Sequence, residues 1–148
     1  MTELPPTMRE KPKLALYWAA SCGGCEIAVL DIEAKILQVK EIFDIVFWPV
    51  AVDFKVKHVE ALPDAAIDLC LFNGAIRNTD NLEMAELLRR KSRVLVAFGS
   101  CAAEGCVPGL SNLSTAEQHV QTIYCSGPTI DNPDSTTPQT STPVSYTH

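Results

Sequence analysis

Four short runs of apolar residues divide the first hundred residues of the chain. Each run has the length of a β-strand and is largely apolar, which is typical of strands that are covered on both faces of a sheet. They occupy residues 13–18 (KLALYW), 44–50 (DIVFWPV), 67–72 (IDLCLF) and 93–98 (RVLVAF). The pattern therefore predicts four buried strands.

Between these runs the apolar residues recur at helical spacing. The spacing from Ile27 to Leu37 predicts one amphipathic helix that begins near Cys25. Residues 54–62 predict a short helix, and residues 79–91 predict a longer one with basic residues near its C-terminal end. Strand and helix alternate, so we predict an α/β fold, a doubly wound parallel sheet in three α/β/α layers.

The two ends of the chain differ from this middle part. Residues 1–12 are a polar segment, and we assign residues 13–125 to the α/β domain. Residues 126–148 contain ten Ser or Thr, four Pro and no Lys or Arg. Such a composition buries too little apolar surface to offset the entropy of ordering, so we expect an irregular tail, and we interpret the chain as truncated.

Charge and hydropathy exclude some classes of partner. The formal charge of −6 argues against nucleic acid, since phosphate binding needs a basic face. No apolar run approaches the ~18 residues of a membrane span. The polar start carries neither a hydrophobic secretory region nor a twin-arginine signal, which predicts a cytoplasmic protein.

Three of the six cysteines follow predicted strands. Cys22 and Cys25 come after the first strand, and Cys101 follows the fourth in the sequence GSC. Because ligands of open parallel sheets bind beyond the carboxyl ends of the strands, we expect these thiols to meet at one edge. Gly23 and Gly24 let the backbone approach a bulky cofactor, and the helix that begins near Cys25 favours thiolates.

Two chemistries fit this arrangement. Thiolates that converge from separate loops are the ligands of an iron–sulfur cluster. A Trp, a CxxC pair and a helix at the second cysteine also fit a thioredoxin-like dithiol oxidoreductase. That alternative lacks a Pro between the cysteines and leaves Cys101 unexplained. From the residues alone the cluster is favoured, and the dithiol remains open.

Four stretches of the chain resemble a known family. They are ALYWAASCGGCEIAVLD after the first strand, LFNGAIRNTDN after the third, GSCAAEGCVPGLSNL after the fourth, and PTIDNPDSTTPQT further on. Over residues 11 to 140 the chain is similar to the small subunit of cytoplasmic [NiFe] hydrogenases of the F420-non-reducing, methyl-viologen-reducing type. The same superfamily includes the 20 kDa cluster subunit of NADH:ubiquinone oxidoreductase.

The resemblance implies a flavodoxin-like domain that relays electrons. In that family a [4Fe–4S] cluster lies next to the interface with a large subunit that carries the nickel–iron site, and Cys22, Cys25 and Cys101 occupy the positions of three of its ligands. A further redox protein exchanges the electrons. No residue of this chain is expected to be catalytic, because bond-making on hydrogen belongs to the large subunit.

Two departures from the family concern cysteines. The family's fourth ligand lies in a Gly-Cys-Pro motif that this sequence lacks, so we expect the fourth ligand beyond the C-terminus of this chain. Cys106 stands where the family usually has Gly; it either touches the cluster or is a neutral substitution, and we favour the neutral substitution. Cys125 matches no ligand motif, and Cys70, inside the third strand, is predicted to be a core thiol.

Other residues near the motifs leave alternatives open. The backbone of residues 73–75 is expected to line the edge of the cluster. Glu26 either faces the partner or a proton or electron path, or complements the helix dipole as a first-turn Glu. The close functional alternative is a complex-I-like cluster subunit, although that branch has adjacent cysteines in the first motif, whereas Gly-Gly separates them here.

Overall fold

The computed structural model describes residues 10–138, and its sheet has four strands. The strands are β1 Lys13–Trp18, β2 Asp44–Phe47, β3 Ile67–Asn73 and β4 Ser92–Phe98. All three neighbouring pairs are parallel, in the order β2-β1-β3-β4. This is the strand order of flavodoxin-like sheets as far as their fourth strand. The predicted parallel α/β fold is confirmed.

Helices follow each strand, and those between the strands pack on both faces of the sheet. They are α1 Gly24–Leu30, α2 Ile36–Ile42, α3 Val56–Glu60, α4 Thr79–Lys91, α5 Ser100–Glu104 and α6 Cys106–Gly109, with a 3-10 turn at Glu33–Lys35. The bounds of α4 are those predicted, and Asn78 caps it by accepting a hydrogen bond from the backbone N–H of Asn81.

The single helix predicted after Cys25 is divided in the structure. Glu33 has a φ of 53°, which interrupts the helical hydrogen bonds between α1 and α2. The predicted apolar stripe is also wrong, because Ile27, Leu30 and Leu37 are exposed. Other apolar residues of these helices pack against the sheet instead, namely Val29, Ile36 and Val39.

The core lies on both faces of the sheet. On one face, Cys70 and Phe72 of β3 pack in a cluster with residues of α3 and α4, including Leu88. On the other face, Leu14 and Leu16 of β1 pack against residues of α1 and α2. Cys70 is fully buried, as predicted for a core thiol, and its burial raises the pKa of the thiol to about 12.

The chain divides into two compact units after Gly109. The second unit begins at Leu110, within the stretch that the sequence analysis assigns to the α/β domain. It contains a 3-10 helix Leu110–Leu113, a helix α7 Ala116–Val120 and a π-helical turn Gln121–Ser126. Residues 127–138 contain no helix or strand.

No helix within residues 10–138 is both long enough and apolar enough to cross a membrane.

Candidate functional site

The candidate site lies where three strands end at the same level. Trp18 of β1 pairs with Asn73 of β3, and Asn73 pairs with Phe98 of β4. The loop that carries Cys22 leaves the sheet after Trp18, and the turn that carries Cys101 leaves it after Phe98. The strand register therefore brings both cysteine motifs to the same edge of the sheet.

Direct contact between the two motifs is visible at Gly99. A Cβ atom on Gly99 would lie 2.3 Å from Sγ of Cys25, far inside the distance that real Cβ atoms keep. Gly99 also has a φ of 84° and a ψ of 164°, a conformation almost restricted to glycine. The backbone after β4 thus lies against the sulfur of Cys25, and this position requires glycine.

The pKa of the Cys101 thiol depends on the other thiols near this contact. Partial burial raises the pKa of the Cys101 thiol, and the neighbouring thiols of Cys106, Cys22 and Cys25 raise it further. Cys101 and Cys25 are half-buried, whereas Cys22 and Cys106 are exposed. The structure therefore brings the three predicted ligands into one neighbourhood, and it adds Cys106.

The sequence favours a neutral substitution at Cys106, with contact to the cluster as the alternative, and the structure has Cys106 near Cys101. Helix α5 has five residues, and Gly105, with a φ of 91°, turns the chain so that α6 begins at Cys106. Cys106 itself has a φ of 41°. The signal in the sequence was the short spacing of the two cysteines across a glycine.

A tryptophan supports the loop between Cys22 and Cys25. The Trp18 ring lies over Gly23, where a Cβ would come within 2.8 Å of two ring atoms. The Trp18 indole N–H donates to the carbonyl of Ser21 at 3.2 Å, and the backbone N–H of Gly24 donates to Sγ of Cys22 at 3.4 Å. The loop conformation therefore depends on a glycine beneath the ring.

Buried polar groups lie behind the Cys25 sulfur. Glu26 is only 2% exposed, so it does not face solvent, and the indole N–H of Trp48 donates to its Oε2 at 2.5 Å. Burial raises the pKa of Glu26, while the Trp48 N–H and the nearby Asn73 amide act to lower it. Glu26 does occupy the first turn of α1.

Asn73 is expected to contribute through its backbone, and its side chain also lies beside the contact between Gly99 and Cys25. The side chain is fully buried, and neither Oδ1 nor Nδ2 makes a hydrogen bond of normal geometry among the described residues, although the amide lies close enough to Glu26 to lower the pKa of its carboxyl. The ideal Cβ position on Gly99 lies 3.9 Å from Oδ1 of Asn73. The amide and the Cys25 sulfur therefore flank the same glycine.

The cysteines at this edge are the residue type that ligates iron–sulfur clusters. Within residues 10–138 no three His, Cys, Asp or Glu side chains converge closely enough to hold one ion. In a [4Fe–4S] cluster the thiolates bind separate irons, so they surround the cofactor and do not meet at one point. The thiol donor set and the buried amide beside Gly99 both suit a cofactor that contains sulfur.

Comparisons with known proteins identify relatives of this chain. Residues 22–141 match the family model of the NADH ubiquinone oxidoreductase 20 Kd subunit. The chain is 42% identical to the iron-sulfur subunit of an F420-non-reducing hydrogenase from Archaeoglobus profundus, over 86% of this chain and 40% of that protein. It is 33% identical to a subunit of the F420-non-reducing hydrogenase from Methanothermobacter thermautotrophicus, over 92% of this chain and 42% of that protein.

A solved structure shares the fold as well. One chain of an NAD+-reducing [NiFe]-hydrogenase in the H2-reduced state superposes with a TM-score of 0.75 and 27% identity, covering 88% of this chain and 68% of that one. The present chain spans about 40% of the length of the curated relatives it matches. The match over residues 22–141 shows that the chain belongs to the family of the NADH ubiquinone oxidoreductase 20 Kd subunit.

Proposed function

We propose that this chain is the cluster-bearing part of a [NiFe] hydrogenase small subunit, and that Cys22, Cys25 and Cys101 ligate a [4Fe–4S] cluster. The observation that carries the proposal is the contact between Gly99 and the Cys25 sulfur, because it joins the two cysteine motifs at one edge of the sheet. The name of the Archaeoglobus relative, an iron-sulfur subunit, supports the same cofactor.

The cluster would supply reversible one-electron transfer. The residues of this chain would bind the cluster and tune its reduction potential. The three thiolates would hold the irons, the glycines would allow close approach, and burial together with hydrogen bonds to sulfur would tune the reduction potential. The fourth ligand would come from outside residues 1–148, in a part of the relatives that this sequence does not cover.

The partner in this proposal is a hydrogenase large subunit that docks over the cysteine motifs. Large apolar side chains stand exposed on the segments around this edge, namely Trp18, Ile27, Ile76 and Val107. Apolar residues that are exposed together are typical of protein interfaces. The subunit would relay electrons in the cytoplasm between the nickel–iron site of the large subunit and a further redox protein.

A complex-I-like cluster subunit is the second candidate, because the matching family model takes its description from that enzyme. The two glycines between Cys22 and Cys25 favour the hydrogenase branch, as do the relatives' names. The thioredoxin-like alternative is disfavoured, since every strand pair in the described sheet is parallel.

Anaerobic reconstitution tests the proposal. The chain is incubated with iron, sulfide and a small thiol that can occupy the fourth iron, and iron content and the EPR spectrum after reduction are measured. A cluster signal in the wild type is expected. A chain that takes up no iron but reduces disulfides through Cys22 and Cys25 would overturn the proposal in favour of the dithiol enzyme.

A further inference from the structure

A buried carboxamide lies beside Gly99, the residue whose backbone contacts the Cys25 sulfur. Asn73 is fully buried at the end of β3, and its amide lies near the carboxyl of Glu26, but neither of its polar atoms makes a hydrogen bond of normal geometry among residues 10–138. Buried polar groups in proteins are almost always hydrogen-bonded, because an unsatisfied one destabilises the fold. An amide at this position therefore calls for a partner of specific chemistry.

Two groups that can accept hydrogen bonds lie near the amide. One is the Cys25 sulfur, which flanks Gly99 together with Oδ1 of Asn73. The other is the carboxyl of Glu26, whose Oε1 has no hydrogen-bond partner in the described part of the chain, while Trp48 holds its Oε2. Because a carboxamide NH₂ has two donors, it can serve both an oxygen acceptor and a sulfur acceptor.

Rotation of the amide about its last side-chain bond exchanges Oδ1 and Nδ2 without changing its shape. Either atom can therefore face Gly99. The neighbouring groups decide which of the two atoms faces Gly99. A thiolate accepts hydrogen bonds, so it pairs with the NH₂ group and not with the amide oxygen.

Resting on the proposed function, we propose that Asn73 is a positioning residue whose amide N–H donates a hydrogen bond to the Cys25 sulfur once that sulfur ligates iron. The second N–H of the amide donates to Oε1 of Glu26, whose other oxygen is fixed by Trp48. The donor to the cofactor therefore comes from Asn73 at the end of β3, and Glu26 in the first turn of α1 holds its amide in place.

The consequence for the cofactor is electronic. Reduction adds negative charge to the cluster and its thiolates, so a donor to a ligand sulfur stabilises the reduced form and raises the reduction potential. The effect is large at this position because the amide is shielded from water. Replacing Asn73 by the similarly sized apolar Leu should lower the potential.

Redox titration of the reconstituted chain, followed by EPR, tests this inference. In the Asn73→Leu variant we expect the ratio of reduced to oxidised cluster at a fixed potential to fall about tenfold, which corresponds to ~59 mV for one electron. A purely structural role would change iron content but leave the potential unaltered.

Ser92 offers a matched control. Its hydroxyl is also buried and makes no hydrogen bond of normal geometry in the described chain, but it lies near the Cys70 thiol, at the opposite end of β4 from the cysteine motifs. Ser92→Ala should leave the potential unchanged. If Asn73→Leu titrates like the wild type and like Ser92→Ala, the inference is overturned while the cluster assignment stands; if no variant and no wild-type sample holds iron, the proposed function itself fails.

A measurement on the wild type covers the case in which the Asn73→Leu variant does not fold. Pulsed EPR of the reduced chain with ¹⁵N-labelled asparagine should detect coupling between the cluster and a side-chain amide nitrogen. Coupling supports the donor, and its absence overturns it.

Discussion

Replacement of Gly99 by Ala is the perturbation for which the structure gives the clearest magnitude. The new Cβ would lie 2.3 Å from Sγ and 3.6 Å from Cβ of Cys25, and it would occupy a backbone conformation that is essentially restricted to glycine. The conformation alone costs about 1–3 kcal/mol. The overlap with sulfur can be relieved only if Cys25 turns its side chain away or the chain after β4 moves.

Gly99→Ala should therefore weaken both folding and the site. We expect a loss of about 2 kcal/mol in the free energy of unfolding, which is a roughly thirty-fold fall in the ratio of folded to unfolded chain. Because relief of the overlap separates Cys25 from the loop of Cys101, the variant should also retain less iron than its loss of stability explains. Urea unfolding and iron content after anaerobic reconstitution measure the two effects.

Gly109→Ala is the matched control for this experiment. A Cβ on Gly109 would meet no atom within 4 Å, and Gly109 does not have a positive φ. The control should therefore keep the stability and the iron content of the wild type. If Gly99→Ala behaves like Gly109→Ala in both assays, the two cysteine motifs do not meet in the way described.

The remaining predictions concern the other cysteines. Burial raises the pKa of Cys70 to about 12, so the folded chain keeps this thiol protonated while the unfolded chain ionises it above pH ~8.5. The stability of the wild type relative to Cys70→Val should be constant below that pH and should then fall by about 1.4 kcal/mol per pH unit toward pH 11, as measured by urea unfolding; a flat difference would refute the burial argument. Cys106→Gly should relieve a left-handed backbone at a φ of 41° and stabilise the chain by about 1 kcal/mol while iron content stays the same. Loss of iron in that variant would make Cys106 a ligand. In the iron-free chain the same variant should speed alkylation of Cys101, because a neighbour that raises its pKa is removed.

The strands and the helix α4 could be predicted because their patterns are local. A continuous apolar run defines β3, and the run from Thr79 to Lys91 has good helix formers between a polar cap and Ser92. The break between α1 and α2 could not be predicted. Glu33 favours helices, and only the packing of Val29 and Ile36 against the sheet decides which side of these helices is buried.

The candidate site could likewise be predicted only in part from the sequence. That Cys22, Cys25 and Cys101 lie at one edge followed from the order of strands, because parallel strands end on the same side. The roles of Gly99 and of the Asn73 side chain did not follow from the sequence. They depend on which atoms approach the Cys25 sulfur in space, and a glycine or an asparagine at a strand end is equally compatible with an ordinary turn.

The central claim is that sulfurs from two distant segments of the chain hold one cluster. The most direct test compares two cysteine variants with the wild type. Iron content, sulfide content and the EPR spectrum after reduction are measured for each. Cys101→Ser should lose the cluster signal that the wild type shows. Cys125→Ser, which removes a thiol of the second unit, should keep it. Equal cluster content in Cys101→Ser, Cys125→Ser and the wild type would contradict the account.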